Sequence, residues 1–382
     1  MMSKLTRGGI AKRVVVIDVV ITSILLITII ALVFLNIQST GVAYLENPDN
    51  VVYDINKKIL EYDSLTLKQK IAQMFIVYGE EENRLTFQKM MVGGVFFDAR
   101  PTQFDFERSV YSYQKYSNIP MLITLDLEGC RNPFENFASF PTFSEIETVE
   151  EAYQVGVEEG ELMKELGFTM NFAPVVDLED EIWGCRSFPG TPKEIAAKAN
   201  AYIKGLNESG ILAVAKHYPG KTLVNRDLHL ESSFVVISEE DLIPFKSVVA
   251  ENVPAVMVSH AVTTGAVDTF SKPGVVSQPL VSDLKNGLAG KSFTGLVITD
   301  EIGMLSLKNH YTDDTGWTNY GLMFTELFNS GNDMILVFDR EPARVYEFIE
   351  YIEKEVKRGE ISEERIDESV IKILEAKGIT VV

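Results

Sequence analysis

Short apolar runs alternate with longer segments of helical periodicity throughout the chain beyond residue 62. Runs without polar alternation are typical of strands buried on both faces. The eight runs are Ile71–Val77, Gly93–Phe97, Met121–Leu125, Thr169–Ala173, Leu212–Ala215, Ala255–Ser259, Gly295–Thr299 and Met334–Phe338. The clearest helical segments are 149–166, 193–208, 239–251, 279–289, 316–330 and 341–358. This alternation predicts an α/β fold, a single (β/α)8 TIM-like barrel over residues 63–382.

A doubly wound open sheet is the alternative fold. It is disfavoured because no glycine-rich phosphate loop follows the first strand. That strand is preceded by Thr66 and Gln69, a capping-box pattern that predicts a short helix leading into it.

Residues 14–35 form an apolar stretch interrupted by Asp18 and a few hydroxyl residues. A helix of this length, at roughly 1.5 Å per residue, can cross a bilayer core of roughly 30 Å. Basic residues cluster in segment 1–13, which predicts a cytoplasmic N-terminus and an extracytoplasmic body on a single-pass membrane anchor. A cleaved signal peptide is the alternative, but its apolar core would be shorter and no clear cleavage site follows. Residues 36–62 have mixed polarity and are predicted to be a linker.

The composition narrows the possible partners and cofactors. The net charge of −20 disfavours nucleic-acid binding, because phosphate backbones would be repelled. Two cysteines, Cys130 and Cys185, allow one disulfide at most and form no metal-binding cluster with the histidines. No cofactor or metal is therefore expected, and protein partners are not indicated.

Polar side chains follow the predicted strands at the point where each strand ends. In a barrel these ends share one face, where the active sites of this fold lie. Charged groups gathered there without a function would be costly to bury. The residues are Asp126, Glu128, Asn171, Lys216, His217, His260, Asp300 and Glu301.

One of these positions and two residues of a loop suggest a reaction. Asp300 directly follows a buried strand, a rigid position that suits a carboxylate nucleophile. His229 has an ordinary pKa near neutrality, which suits a group that donates and then accepts a proton. Asp227, two residues earlier, can orient the imidazole and stabilise its cation. A nucleophilic carboxylate with a switching acid/base follows the logic of a retaining glycosidase.

Including these three residues, the sequence of residues 63–382 resembles glycoside hydrolase family 3, in its NagZ-like β-N-acetylglucosaminidase branch. Motifs similar to those of the family occur in the family's order along the whole body. They are Leu125–Gly129, Met170–Asp177, Arg186–Phe188, Lys216–Gly220, Asp227–His229, Phe293–Asp300, Ser330–Met334 and the closing segment Ile361–Val370.

The resemblance implies a TIM-like barrel and a two-step retaining mechanism. It assigns the nucleophile to Asp300, the acid/base to His229 and its partner to Asp227. It places Asp126, Arg186, Lys216 and His217 around the sugar. Glu128, Arg131 and His260 are further candidate substrate contacts. It implies removal of non-reducing-end β-linked N-acetylglucosamine from cell-wall fragments, as in peptidoglycan turnover, or from related glycans.

The chain departs from the family at several positions. The family continues its Lys-His-Phe-Pro-Gly motif with His-Gly-Asp-Thr, whereas Gly220 is followed here by Lys221, Thr222 and Leu223. Leu228 replaces the serine between the two dyad residues. These changes affect which sugar is preferred more than the chemical step. If the loops of Cys130 and Cys185 both face the barrel mouth, a disulfide between them could fix Arg186, which follows Cys185.

Two other functions remain open from the sequence. A β-N-acetylglucosaminide phosphorylase would use the same glycosyl-enzyme with phosphate as acceptor, since a histidine acid/base adds no negative charge against an incoming anion. A catalytically degenerate, membrane-anchored sugar-binding barrel would keep the cavity and lose the reaction.

Overall fold

The computed structural model describes residues 50–223, 233–290 and 292–382. The first elements within these ranges are β1 (Tyr53–Asp54) and β2 (Ile59–Leu60), which form a hairpin. Strand β2 also pairs in parallel with the C-terminal strand β13 (Thr380–Val381), which completes a three-stranded sheet. This hairpin lies within the stretch predicted as a linker, residues 36–62. Residues 53–60 are therefore part of the folded body, which begins before residue 63.

Eight parallel strands form the centre of the protein. They are β3 (Phe75–Tyr78), β4 (Gly94–Phe96), β5 (Leu122–Leu125), β6 (Met170–Asn171), β7 (Leu212–Tyr218), β9 (Ala255–Val258), β11 (Leu296–Thr299) and β12 (Ile335–Val337). They pair in that order, and β12 pairs with β3. Strand β11 meets β12 through a parallel bridge between Ile298 and Met334. The result is a near-closed parallel barrel, and all eight strands predicted from the apolar runs belong to it.

Helices surround this barrel between the strands. They are α1 (Leu67–Gln73), α2 (Arg84–Met90), α3 (Gln103–Lys115), α4 (Val149–Glu165), α5 (Pro192–Glu208), α6 (Leu242–Ala250), α7 (Gln278–Asn286), α8 (Leu305–Tyr311), α9 (Tyr320–Asn329), α10 (Pro342–Arg358) and α11 (Glu363–Ala376). The predicted helices correspond to α4, α5, α6, α7, α9 and α10, with ends shifted by a few residues.

One predicted boundary was wrong. The sequence predicts a single strand over Ile71–Val77, but Ile71–Gln73 ends α1 and the strand begins only at Phe75. The capping box of α1 is present, since Thr66 and Gln69 each accept a hydrogen bond from the other's backbone N–H. The polar Gln73 stands at this boundary, but it is buried like its apolar neighbours, so no exposed position separates the helix from the strand.

Helices α4 and α5 pack unusually closely. A side chain at Gly156 would place its Cβ 2.4 Å from the backbone oxygen of Tyr202. At Gly205 a Cβ would lie 2.5 Å from the backbone oxygen of Tyr153. Both glycines therefore permit backbone contact between the helices, and this contact brings Tyr202 and Glu159 together.

A second, two-stranded parallel sheet lies outside the barrel. It pairs β8 (Phe234–Ile237) with β10 (Val262–Gly265). Alternate residues of β8 are buried and exposed, and Phe234 and Val236 are on the exposed side.

The predicted membrane anchor, residues 14–35, lies outside the described residues, as does segment 1–13. Among the residues that the structure describes, no helix combines the length and apolarity needed to cross a membrane.

Candidate active site

A cavity of about 380 Å³ opens at the C-terminal ends of the barrel strands. Its volume falls in the range of small-ligand pockets. Apolar side chains, among them Phe172, Met257, Leu336 and Phe338, form part of its wall. Six of the polar side chains predicted at the strand ends lie in the same wall: Asp126, Glu128, Lys216, His217, Asp300 and Glu301. Asn171 and His260 do not line the cavity, whereas Arg131 and Arg186, which are candidate substrate contacts, do.

Lys216 joins the carboxylates of this wall. Its Nζ lies 2.6 Å from Oδ1 of Asp126 and 2.8 Å from Oε2 of Glu128. Lys216 is at the end of β7 and only 2 % exposed. Two negative charges beside one buried ammonium fix the direction of its side chain and hold the end of β7 against the loop after β5.

Glu128 also pairs with Arg186. The guanidinium donates a hydrogen bond of 2.7 Å to Oε2 of Glu128. Burial by itself would raise the pKa of Glu128, but the charges of Lys216 and Arg186 outweigh it and hold that pKa below its usual value. Glu128 is therefore a carboxylate, although it is only 1 % exposed.

Two atoms of this pair have no hydrogen-bond partner within the described ranges. They are Oε1 of Glu128 and Nε of Arg186, and both are buried. One is an acceptor and the other a donor, and both residues line the cavity. A polyhydroxyl ligand would satisfy such a pair, because each hydroxyl both donates and accepts.

Arg131 lies at the more exposed side of the wall. Its guanidinium is 3.7 Å from Oδ2 of Asp126 and 4.0 Å from Oδ1 of Asp98. The charge of Asp126 is the main cause of a raised pKa for Arg131. With half of its side chain exposed, Arg131 is positioned to contact a ligand that enters the cavity.

His217 is held by a buried carboxylate that the sequence analysis did not single out. Asp177 accepts hydrogen bonds from the backbone N–H of His217 (3.1 Å) and from the backbone and hydroxyl of Thr222 (2.6 and 2.7 Å). The Thr222 hydroxyl also lies 3.1 Å from Nδ1 of His217. Burial raises the pKa of Asp177 to about 6, against the effect of these hydrogen bonds. Asp177 thereby fixes the start of the loop that follows β7.

A second acidic residue organises the loop that carries Arg186. Asp180 accepts hydrogen bonds from the backbone N–H groups of Trp183 (2.8 Å), Cys185 (3.0 Å) and Arg186 (2.8 Å). Partial burial opposes its charge, but these donors hold the pKa of Asp180 below its usual value. The turn from 180 to 186 is therefore closed around one carboxylate.

Cys185 in this turn is joined to Cys130 by a disulfide, with the Cα atoms 5.6 Å apart. A Cβ at Gly129 would lie 2.2 Å from the backbone oxygen of Cys185, so only glycine permits this approach of the two loops. The bridge thus runs beside the ion pair of Glu128 and Arg186.

Asp300 follows β11 and faces the cavity. Its backbone N–H donates to the oxygen of Val258 (3.0 Å), and its Oδ1 accepts from the N–H of Glu301 (2.8 Å). Glu301 also lines the cavity, with Oε1 bonded to the N–H groups of Gly303 (2.7 Å) and Phe338 (3.1 Å). Burial, helped by the neighbouring Asp300, raises the pKa of Glu301. A carboxylate that is fixed at the end of a strand and faces the cavity can act as a nucleophile.

Residues 66–376 match the family model described as the glycosyl hydrolase family 3 N terminal domain. The chain belongs to glycosyl hydrolase family 3. It is therefore a glycosidase, and the resemblance inferred from its motifs is confirmed.

Relatives and solved structures in this family cover most of the chain. The beta-hexosaminidase LpqI of Mycobacterium bovis is 26% identical over 337 residues, which is 82% of this chain and 83% of that protein. A family 3 beta-N-acetylglucosaminidase from Paenibacillus sp. superimposes with a TM-score of 0.74 at 28% identity. That match covers 82% of this chain and 62% of the Paenibacillus chain. A family 3 glycosyl hydrolase from Mycobacterium smegmatis gives 0.72 at 25% identity, covering 82% and 97%.

Two predicted site residues, Asp227 and His229, fall within residues 224–232, which lie outside the described residues. In this family 3 chain their assignment stays a prediction. His260 is described, but it does not line the cavity. Its Nε2 lies 2.8 Å from the backbone oxygen of Glu301. This contact places His260 beside the strand end that bears Asp300, and its assignment as a substrate contact stays a prediction.

Sequence reasoning missed Asp177, Asp180, Thr222 and Trp183. Asp177 follows the apolar pair Val175 and Val176, which was a usable signal because an acid directly after a buried run needs donors. Asp180 gave only the weaker signal of an acid a few residues before a glycine in a loop.

Proposed function

We propose that this protein is a retaining β-N-acetylglucosaminidase. The observation that carries the proposal is the position of Asp300, on the same cavity as the Asp126, Glu128, Lys216 and Arg186 cluster. The cluster offers hydrogen bonds to sugar hydroxyls, including the two atoms on Glu128 and Arg186 described above. Asp300 then faces a sugar whose orientation is fixed, as displacement at its anomeric carbon requires.

The reaction proceeds in two displacements. In the first, an oxygen of Asp300 attacks the anomeric carbon while His229 donates a proton to the departing glycosidic oxygen. In the second, His229 takes a proton from water, and the water oxygen displaces Asp300 from the same carbon. Two inversions retain the configuration of the sugar. Asp227 orients the imidazole and stabilises its cationic form.

N-acetylglucosamine is the sugar that the sequence supports best. The Asp-x-His loop supplies the acid/base from the barrel itself, as the N-acetylglucosaminidase branch does. The relatives named beta-hexosaminidase and beta-N-acetylglucosaminidase support the same assignment. We propose cell-wall fragments or related amino-sugar glycans as the substrate class.

We also propose that residues 14–35 anchor the enzyme in the cell membrane with the barrel outside the cytoplasm. Protease added to intact cells should degrade the barrel and spare the N-terminal segment. Protection of the barrel in intact cells and its degradation after lysis would contradict this orientation.

Phosphorolysis, the alternative reaction, would bring a phosphate anion into the cavity, and a cation without a carboxylate partner would favour its binding. In the described ranges, the cations of the cavity are already paired: Lys216 with Asp126 and Glu128, Arg186 with Glu128, and Arg131 with Asp126. This pairing favours water as the acceptor. Turnover that depends on added phosphate would overturn that choice.

The function is tested with aryl β-N-acetylglucosaminide and aryl β-glucoside side by side. We expect hydrolysis of the first in preference to the second and its loss in Asp300→Ala. His229→Ala should be slow on a poor leaving group and recover on a good one, because a good leaving group needs no proton. Binding of N-acetylglucosamine without any release of the aryl group would indicate the degenerate sugar-binding barrel instead.

A further inference from the structure

Trp183 is an exposed aromatic residue in the wall of the cavity. Its exposed fraction is 57 %. An indole ring has a large apolar surface that is normally covered by other side chains or by a ligand. The other aromatic residues of the wall, Phe172 and Phe338, pack with Phe96 in the barrel interior. Trp183 is thus an aromatic surface at the cavity that the fold itself leaves largely uncovered.

The backbone beneath this indole is held in place. The N–H of Trp183 donates to Asp180, which also binds Cys185 and Arg186. The disulfide to Cys130 ties the same turn to the loop after β5. The N–H of Glu181 donates to the oxygen of Leu223 (2.9 Å). A platform that is already fixed loses little conformational freedom when a ligand covers it.

The location of Trp183 relative to Arg186 indicates what would cover it. Arg186 is nearly buried and paired with Glu128 in the polar wall, whereas Trp183, three residues earlier, is exposed. An enzyme that removes a terminal sugar encloses that sugar, and the next part of the substrate extends toward solvent. The exposed side of the cavity is therefore where the leaving portion of the glycan lies.

We propose that Trp183 forms a binding subsite for the second sugar ring of the substrate, the one that departs. This inference rests on the proposed function. One face of a pyranose carries mainly C–H bonds, and it packs against the electron-rich face of an aromatic ring. The subsite would make a disaccharide or longer glycan a better substrate than a glycoside with a small leaving portion.

Trp317 provides a matched control. The chain has two tryptophans, and Trp317 is 61 % exposed, close to the exposure of Trp183. It lies in the turn between Thr312 and Thr318 and does not line the cavity. Replacement of either residue removes an exposed indole, but only Trp183 is placed to meet substrate.

The kinetic test compares a β-1,4-linked N-acetylglucosamine disaccharide with methyl β-N-acetylglucosaminide. Both leaving groups are alkoxides that need a proton, so the substrates differ chiefly in the second ring. We expect the ratio of their kcat/KM values to fall about tenfold in Trp183→Ala, as the loss of one ring contact predicts. Trp183→Phe should retain part of the preference, and Trp317→Ala should retain the wild-type ratio.

An unchanged ratio in Trp183→Ala would overturn the inference, as would a wild type with no preference for the disaccharide. If the wild type hydrolyses neither substrate, the proposed function fails, and the subsite is then tested by a binding measurement.

That measurement uses tryptophan fluorescence. In the Asp300→Ala background, the Trp317→Phe variant leaves Trp183 as the sole tryptophan. Added disaccharide should change its fluorescence, whereas the Trp183→Phe variant in the same background should not respond. No change in the first, or the same change in both, would contradict the subsite.

Discussion

Nζ of Lys216 lies 2.8 Å from Oε2 of Glu128, and both side chains are almost fully buried. The pair joins the end of β7 to the loop after β5. Together with Arg186 it places two cations on one carboxylate oxygen in the wall of the cavity. A buried charge with an oppositely charged partner is tolerated, whereas a buried charge without a partner lowers the stability of the fold strongly.

Removal of Glu128 should therefore destabilise the protein strongly. Glu128→Ala leaves Lys216 with Asp126 alone and Arg186 without its buried carboxylate. We expect the free energy of unfolding to fall by roughly 3–5 kcal/mol, the usual cost of an uncompensated buried charge. Urea denaturation followed by circular dichroism measures it.

Glu239→Ala is the control for that substitution. Glu239 pairs with Lys246 at the surface, and both side chains are exposed. Its loss should cost no more than about 1 kcal/mol, as for other exposed pairs. If Glu128→Ala and Glu239→Ala lowered the free energy of unfolding equally, Glu128 would not be compensating the buried charges of Lys216 and Arg186.

Asp177 should control binding through His217 and Thr222. Asp177→Asn replaces an oxygen acceptor by an amide group that cannot accept, so at least one of the three donors loses its partner. We expect a loss of about 1–3 kcal/mol in the free energy of unfolding, the cost of one unsatisfied buried group. We also expect a higher KM for the N-acetylglucosaminide, because the loop after β7 begins at these donors. An unchanged KM with reduced stability would limit Asp177 to a structural role.

The buried Glu159 should make the free energy of unfolding depend on pH. It accepts a hydrogen bond from Tyr202, whose hydroxyl accepts from Asn171 (3.1 Å). Burial raises the pKa of Glu159 from near 4.5 to about 8. Since the folded state holds this proton more tightly than the unfolded state, the contribution of Glu159 to stability is full below pH 4.5 and decreases as the pH rises to about 8.

Glu159→Gln should remove this dependence, because the amide still accepts from Tyr202 and has no proton to lose. The stability of the variant relative to wild type should rise between roughly pH 5 and pH 9, as measured by urea unfolding at several pH values. Glu158→Gln, at an exposed neighbouring position, should follow the wild type. Parallel curves for wild type and Glu159→Gln would contradict a buried, protonated Glu159.

The disulfide between Cys130 and Cys185 should stabilise the fold. The cysteines are separated by 55 residues, and closing a loop of this length in the unfolded chain predicts a contribution of roughly 2–4 kcal/mol. Replacing both cysteines by serine should lower the free energy of unfolding by that amount. Non-reducing mass spectrometry of protein isolated from its native host provides the direct check. Two free thiols there would rule the bridge out.

The barrel could be predicted because its strands are buried on both faces. Such strands appear as continuous apolar runs, and Leu296–Thr299 and Ala255–Val258 are clear examples. The sheet of β1, β2 and β13 could not be predicted, because it joins residues 53–60 to residues 380 and 381. Short strands that pair across the whole chain carry no local periodicity.

The charged wall could be predicted for the same reason as the barrel, since Asp126, Lys216 and Asp300 directly follow apolar runs. The residues that position this wall were less visible. Asp180 accepts hydrogen bonds from backbone N–H groups of its own loop. The sequence shows that an aspartate is present, but it does not show which N–H groups will donate to it. The role of Trp183 likewise depends on the path of the loop, which the disulfide and Asp180 determine together.

Asp300 is the proposed nucleophile of a retaining glycosidase. The most direct measurement is peptide mass spectrometry after incubation with 5-fluoro-β-N-acetylglucosaminyl fluoride. The ring fluorine slows both displacements, while the good leaving group keeps the first fast enough for the glycosyl-enzyme to accumulate. We predict one sugar per protein, attached to Asp300. A label on Glu301 or another residue, or turnover that inverts the anomeric configuration without any label, would contradict the account.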